Sequence, residues 1–200
     1  MSSVIIAGDT SGSVTLSAPA VSGTTTLTLP ATSGTVLTSA NISSNLPTGS
    51  VLQVQTSTFD GYISTAVTGV APTTITSGYQ IFSLSFTPIS ATSTILVQTS
   101  TVSICEASNV SDILWISLWD GSTFIAANSG TALYTSFTGG LNAGYYTLNN
   151  SYTSGSTSAR TIQVRAGANQ AVTIQINGNS SAAYTGSSAR IQMTVWEIAA

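Results

Sequence analysis

The chain has 200 residues, of which 42% are hydrophobic and only 4% charged, with net charge −3 and neither lysine nor histidine. Soluble domains usually carry about 25% charged residues; the three cations here, Arg160, Arg165 and Arg190, are too few to neutralise a phosphate backbone or an anionic membrane surface. Lacking imidazole and amine, the chain also cannot supply a Ser-His-Asp, Cys-His or Schiff-base site.

From the start, Met1-Ser2-Ser3-Val4-Ile5-Ile6-Ala7 has no basic n-region and too short an apolar run for a secretory signal. No run of about 18 apolar residues follows, so no membrane span is expected. These features suit a protein made, and kept soluble, in a cytoplasm. Residues 1–46 are almost all Ser, Thr, Gly, Ala, Val and Leu, with one charge, Asp9, and no aromatic. They repeat with a period of eleven: Ser11-Gly12, Ser22-Gly23 and Ser33-Gly34; Thr15-Leu16 and Thr26-Leu27; Pro19-Ala20 and Pro30-Ala31. An eleven-residue period can describe a helical supercoil, but Thr, Ser, Gly and a recurrent Pro oppose helix. Each unit instead reads as a short strand followed by a turn. Val14, Leu16 and Ala18 alternate with Thr15 and Ser17, as Leu27 and Leu29 alternate with Thr26 and Thr28. Two or three such strands are marginal alone in water. Val14, Leu16, Leu27, Leu29, Val36 and Leu37 are therefore the candidate partner-interface residues of an N-terminal attachment arm.

Leu46-Pro47-Thr48-Gly49 marks the expected boundary. Residues 47–200 hold every aromatic and read as a string of strands: 51–57, 79–86, 94–104, 113–120, 123–126, 132–136, 143–152, 160–166, 172–177 and 189–198. Asp120-Gly121 is a hairpin signal, and Gly139-Gly140, Asn177-Gly178 and the Ser-rich stretch 153–158 are further turns. Phe82, Leu84 and Phe86 oppose Ile81, Ser83 and Ser85; Ile191, Met193 and Val195 oppose Gln192, Thr194 and Trp196. The fold class expected is all-β: an antiparallel, jelly-roll-like β-sandwich with an extended N-terminal β arm.

Chemistry has few candidates. Among six acids, Glu106, Asp112 and Asp120 are the residues that could pair as glycosidic carboxylates; the plainer reading makes them turn residues or partners of the arginines. A loop calcium from Asp112 and Asn109 is the one metal arrangement worth naming; a lone Cys105 makes no disulfide or zinc site and reads as a small core residue. The four Asn-x-Ser sequons are chance in a Ser-rich chain without a signal peptide. Trp115, Trp119 and Trp196 read as core or inter-subunit residues, whereas Tyr134, Phe137, Tyr145, Tyr146, Tyr152 and Tyr184 fall near loops where rings could stack on sugars. No catalytic, cofactor or metal site is assigned, and the expectation is a non-enzyme.

The stretch from Gly12 to Thr38 resembles a segment of virion proteins of tailed phages, notably aquatic and cyanobacterial ones. Leu46-Pro-Thr-Gly-Ser-Val-Leu-Gln-Val-Gln, Phe86-Thr-Pro-Ile-Ser-Ala-Thr-Ser-Thr-Ile-Leu-Val-Gln, Leu118-Trp-Asp-Gly-Ser-Thr-Phe-Ile-Ala and Val195-Trp-Glu-Ile-Ala-Ala are similar to the domain that often follows it. The resemblance implies a trimeric, β-rich protein on the virion surface with an N-terminal attachment segment, as in capsid decoration and tail fibre proteins. Its implied partners are copies of itself and the major capsid protein or a tail protein, with a host glycan as a further ligand. The chain departs from long tail fibres in lacking a shaft, which favours a compact cement protein or short head fibre.

Overall fold

A computed structural model describes residues 3–21, 23–28, 31–34, 36, 38, 45–69, 71–106, 113–131, 142–179, 182–183 and 190–200. The chain divides into two compact units, Met1–Leu37 and Thr38–Ala200.

The first unit is a hairpin. β1 (Ser3–Ala7) pairs antiparallel with β2 (Ser13–Ser17), Val4 opposite Leu16 and Ile6 opposite Val14. Its turn closes where the Gly8 N–H donates to the Gly12 carbonyl at 3.0 Å. Gly12 takes φ +78° and Gly23 φ +57°, so the glycine of the first two Ser-Gly pairs makes the same left-handed bend that side-chain-bearing residues avoid. β1 was not foreseen, although Val4-Ile5-Ile6 is a β-branched run. The second repeat departs from expectation: residues 23–28, including Leu27, are in no strand. A strand exists only where its amides and carbonyls find a partner, and β2 already has β1.

The second unit contains β3 (Val51–Phe59), β4 (Ile63–Thr68), β5 (Tyr79–Phe86), β6 (Thr94–Thr99), β7 (Val102–Glu106), β8 (Ile113–Asp120), β9 (Thr123–Thr131), β10 (Asn142–Tyr146), β11 (Asn149–Thr153), β12 (Arg160–Ala168), β13 (Ala171–Ile176), the two-residue β14 (Gly178–Asn179) and β15 (Ala182–Ala183), and β16 (Ile191–Ile198). Asn45 is the one helical residue among those described. The sheets run β11-β6-β16-β3, β5-β12-β8-β9 and β10-β7-β13-β4, with β14-β15 apart. Number β3, β5, β6, β8, β9, β11, β12 and β16 from one to eight, and the first two sheets read 6-3-8-1 and 2-7-4-5. That interleaving of two antiparallel four-stranded sheets is the jelly roll. The remaining long strands pair into the third sheet.

Two expected strands are each two. Residues 94–104 divide into β6 and β7, and 143–152 into β10 and β11, each half in a different sheet. Between them the Thr99 N–H donates to the Leu148 carbonyl and the Ser100 N–H to that of Gln192, so the ladder continues while the chain changes sheet. β4 was not foreseen. The Asp120-Gly121 hairpin forms as expected: Asp120 lies opposite Thr123, and Gly121 takes φ +57°. Asn177 takes φ +61° at the other turn, a conformation Asn tolerates better than most residues. The strand expected at 132–136 and the turn at Gly139-Gly140 lie outside the described residues.

One buried apolar cluster joins all three sheets, from Phe82 and Phe86 on β5 through Ile116 and Leu118 on β8 to Ile174 on β13 and Val195 on β16. Cys105 is buried on β7. The alternation in β16 holds: Ile191, Met193 and Val195 are buried while Gln192 is exposed. β8 is buried on both faces. Leu114, Ile116 and Leu118 join the core, while Trp115 and Trp119 share the opposite parity. Gly78 and Gly167 make room for Trp115, since a Cβ on Gly167 would stand 2.3 Å from its ring.

Candidate assembly surfaces

Three features govern what the surface can do: the state of the charges, the outer sheet faces, and the arm.

All three arginines, with Asp60, Asp120 and Glu197, are engaged by groups of the same chain. The Arg160 Nη1 donates to Asp120 Oδ2 at 2.8 Å and to the Ser154 carbonyl at 2.8 Å, and its Nη2 to the Ser156 carbonyl at 2.6 Å, which pins the Ser-rich loop against the end of β8. Tyr152, half-buried beside this pair, has its phenol pushed above the ordinary range by burial first and then by Asp120, with Arg160 pulling the other way. Burial lowers the Arg165 guanidinium from its usual value. That group donates to the Ser77 and Gly78 carbonyls at 2.9 and 2.7 Å, holding the loop before β5 beside Trp115. Arg190 pairs with Asp60 at 2.8 Å on an exposed surface. Two of the acids thus serve as partners of arginines. Glu106 is buried at the end of β7, and Asp112 and Asn109 lie outside the described residues, so the carboxylate-pair and calcium arrangements find no support among the residues described.

Glu197 was not singled out. It continues the buried parity of Ile191, Met193 and Val195 and is itself fully buried. Its carboxylate accepts from Gln53 Nε2 at 2.6 Å, Ser93 Oγ at 2.6 Å, the Ile89 N–H at 2.8 Å and the Ser90 N–H at 2.9 Å. Burial alone would raise its pKa; the donors from Gln53, Ser93, Ile89 and Ser90 outweigh burial and hold it below the ordinary carboxylate value. It latches the β5–β6 loop onto β16. The sequence signal was there: a carboxylate on the apolar parity of a strand must be buried with donors.

Outer faces carry apolar rows. On β3, β16 and β6, Val54, Trp196 and Leu96 stand side by side; Val54 is exposed and the other two half-buried. On the opposite sheet Trp119 meets Phe124 edge to face, ring centroids 5.3 Å apart, and donates to Ser117 Oγ at 2.9 Å. Of the tyrosines considered for stacking, Tyr145 on edge strand β10 is 69% exposed, whereas Tyr146 is buried and its phenol pushed up to about 12 by that burial. Tyr134, Phe137 and Tyr184 lie outside the described residues.

The arm is the reverse of the jelly roll. Every residue of β1 and β2 is exposed. Directly paired residues project to the same side, so Val4, Ile6, Val14 and Leu16 form one apolar face, with shallow hollows of about 250 and 360 Å³ along it lined by Val4 and Leu16 and by Ile6 and Val14. Val14 is 61% exposed, Leu16 56%, Leu27 83% and Val36 75%; Leu29 and Leu37 lie outside the described residues. Val4, Ile5 and Ile6 join the interface candidates, although the sequence reading began its repeat only after them.

No family model matches the sequence, and no curated protein matches it. Among solved structures, that of the infectious bursal disease virus Gx strain is 16% identical with a TM-score of 0.36, over 74% of this chain and 37% of that one. The infectious bursal disease virus VP2 subviral particle gives 17% and 0.32 over 74% and 38%, and the Gt strain 12% and 0.35 over 98% and 47%. This chain spans less than half the length of each. Scores of this size fall short of a common fold, so the jelly-roll assignment rests on the strand order above.

Proposed function

We propose that the protein is a non-catalytic structural component of a tailed-phage virion: a capsid decoration (cement) protein or short head fibre, trimeric, held on the major capsid protein by its N-terminal arm. One observation carries this reading. The arm is a two-stranded, nearly uncharged hairpin that leaves Val4, Ile6, Val14 and Leu16 in water. An isolated two-stranded hairpin is at best marginal, and its open edges and apolar face are what strand addition to a host surface uses. The second unit, by contrast, buries an apolar cluster of its own and pairs Arg160 with Asp120 and Arg190 with Asp60. Binding only to the assembled shell would stabilise the particle by mass action. The resemblance of residues 12–38 to tailed-phage segments supplies the class of partner. No cofactor enters this reading.

A second reading, a tail-fibre or receptor-binding module for host glycans, is favoured by Tyr145, whose exposed ring on an edge strand suits stacking on a sugar. Copy number separates the two. Densitometry of purified particles against the major capsid protein gives hundreds of copies for a decoration protein and a few dozen or fewer for a tail component. Particles lacking the protein should rebind the full chain but not the Val14→Asp/Leu16→Asp variant.

A further inference from the structure

We infer that the outer edge of β2 in the β1–β2 hairpin is completed by the second repeat, residues 24–28, of another copy of this chain. This deepens the proposed function and rests on reading the arm as an assembly element: it names the occupant of the arm's edge, whatever its face docks on.

The sequence of the second repeat reproduces that of the strand. Ser11-Gly12-x-x-Thr15-Leu16 enters β2 through a left-handed glycine, and Ser22-Gly23-x-x-Thr26-Leu27 presents the same pattern behind a glycine of the same hand. The first copy finds β1 and becomes a strand. Among the described residues the second has no strand partner within its own unit, and Leu27 is left exposed. β2, among the described residues, is bonded along one edge only, and an edge left in that state is of the kind that recruits a strand. A strand-forming segment without an edge and an edge without a strand occur on every copy, so copies donating in a closed ring, as the proposed trimer would be, satisfy both. Apart from Asp9, in the turn, nothing in residues 1–46 is charged, and copies meet without repulsion. Side-chain parity fixes the register to those that place Leu27 beside Val14 and Leu16, because a slip by one residue would turn Leu27 toward Thr15. Pairing of this kind widens the apolar face rather than covering it.

The test uses the purified full chain, with no particle present. Sedimentation equilibrium of the parent is compared with Thr25→Pro and Thr26→Pro. Successive amides of a strand point to opposite edges, so one of the two prolines removes a ladder donor in any register. The parent should self-associate, and at least one proline variant should raise the dissociation constant about tenfold with the tryptophan-monitored melting temperature unchanged. A parent that stays monomeric at about 100 µM overturns the inference. So does association untouched by both prolines, which would place self-contact on the jelly roll. A lowered melting temperature in both variants also overturns it, because the segment would then be engaged within the single chain. Failure here leaves rebinding to particles intact, and failure of rebinding leaves self-association intact, so the two readings fall separately.

Discussion

The arm and the jelly roll use nearly the same alphabet of Ser, Thr, Val, Ile and Leu, yet one buries almost nothing and the other buries both faces of its central strand. Propensity is not what separates them, since β2 and β8 are both good strand sequences. The difference is the supply of partners within the chain. β8 has β12 on one side, β9 on the other and a second sheet beneath; among the described residues β2 has β1 alone. A strand-forming sequence therefore marks where a surface is needed, and the rest of the chain decides whether that surface comes from within or from another molecule.

Substitutions can break this contrast, and the largest effects belong in the jelly roll. Phe82→Ala, at a fully buried ring, should cost about 3–5 kcal/mol in urea unfolding. Leu16→Ala in the arm should leave the same transition within about 0.5 kcal/mol; a large loss there would show that the arm belongs to the folded core. Glu197→Gln comes next, at about 2 kcal/mol near neutral pH, since it weakens donors now bound to a charge. Because the folded carboxyl lies below its unfolded value, its contribution is complete above the ordinary carboxylate range of about pH 4 and fades as pH falls through the folded pKa. An acid titration of melting temperature should lose that component in the variant. Gly167→Ala should cost about 1–3 kcal/mol by forcing Trp115 aside. Least of all, Asp60→Asn should leave the melting temperature unchanged, as its pair with Arg190 is exposed.

Much of this was legible in the residues. The period-two pattern located β16 and its buried side, and β5 except that Ile81 is buried along with Phe82 and Phe86; apolar content located β8, which is buried on both faces; and turn chemistry located the hairpin at Gly121 and the bend at Asn177. Sheet changes were not legible. Residues 94–104 alternate without a Gly or Pro at Ser100-Thr101, so nothing local says that β6 and β7 belong to different sheets. β4 escaped notice because Ile63 and Val67 are its only large apolar residues. The strand read at Val14 and Leu16 forms, and the one read at Leu27 does not, for the reason that separates the two units: alternation shows that a segment can be a strand and says nothing about whether an edge awaits it. Glu197 shows the converse, a residue whose polarity hid a burial that its strand parity declared.

Amide hydrogen exchange across residues 3–17, measured on the dilute chain and again on the chain bound to particles, tests the central claim most directly. The account predicts fast exchange in the dilute chain and strong protection on the particle, with β8 and β12 protected in both. An arm already protected in the dilute chain, or still unprotected on the particle, would contradict it.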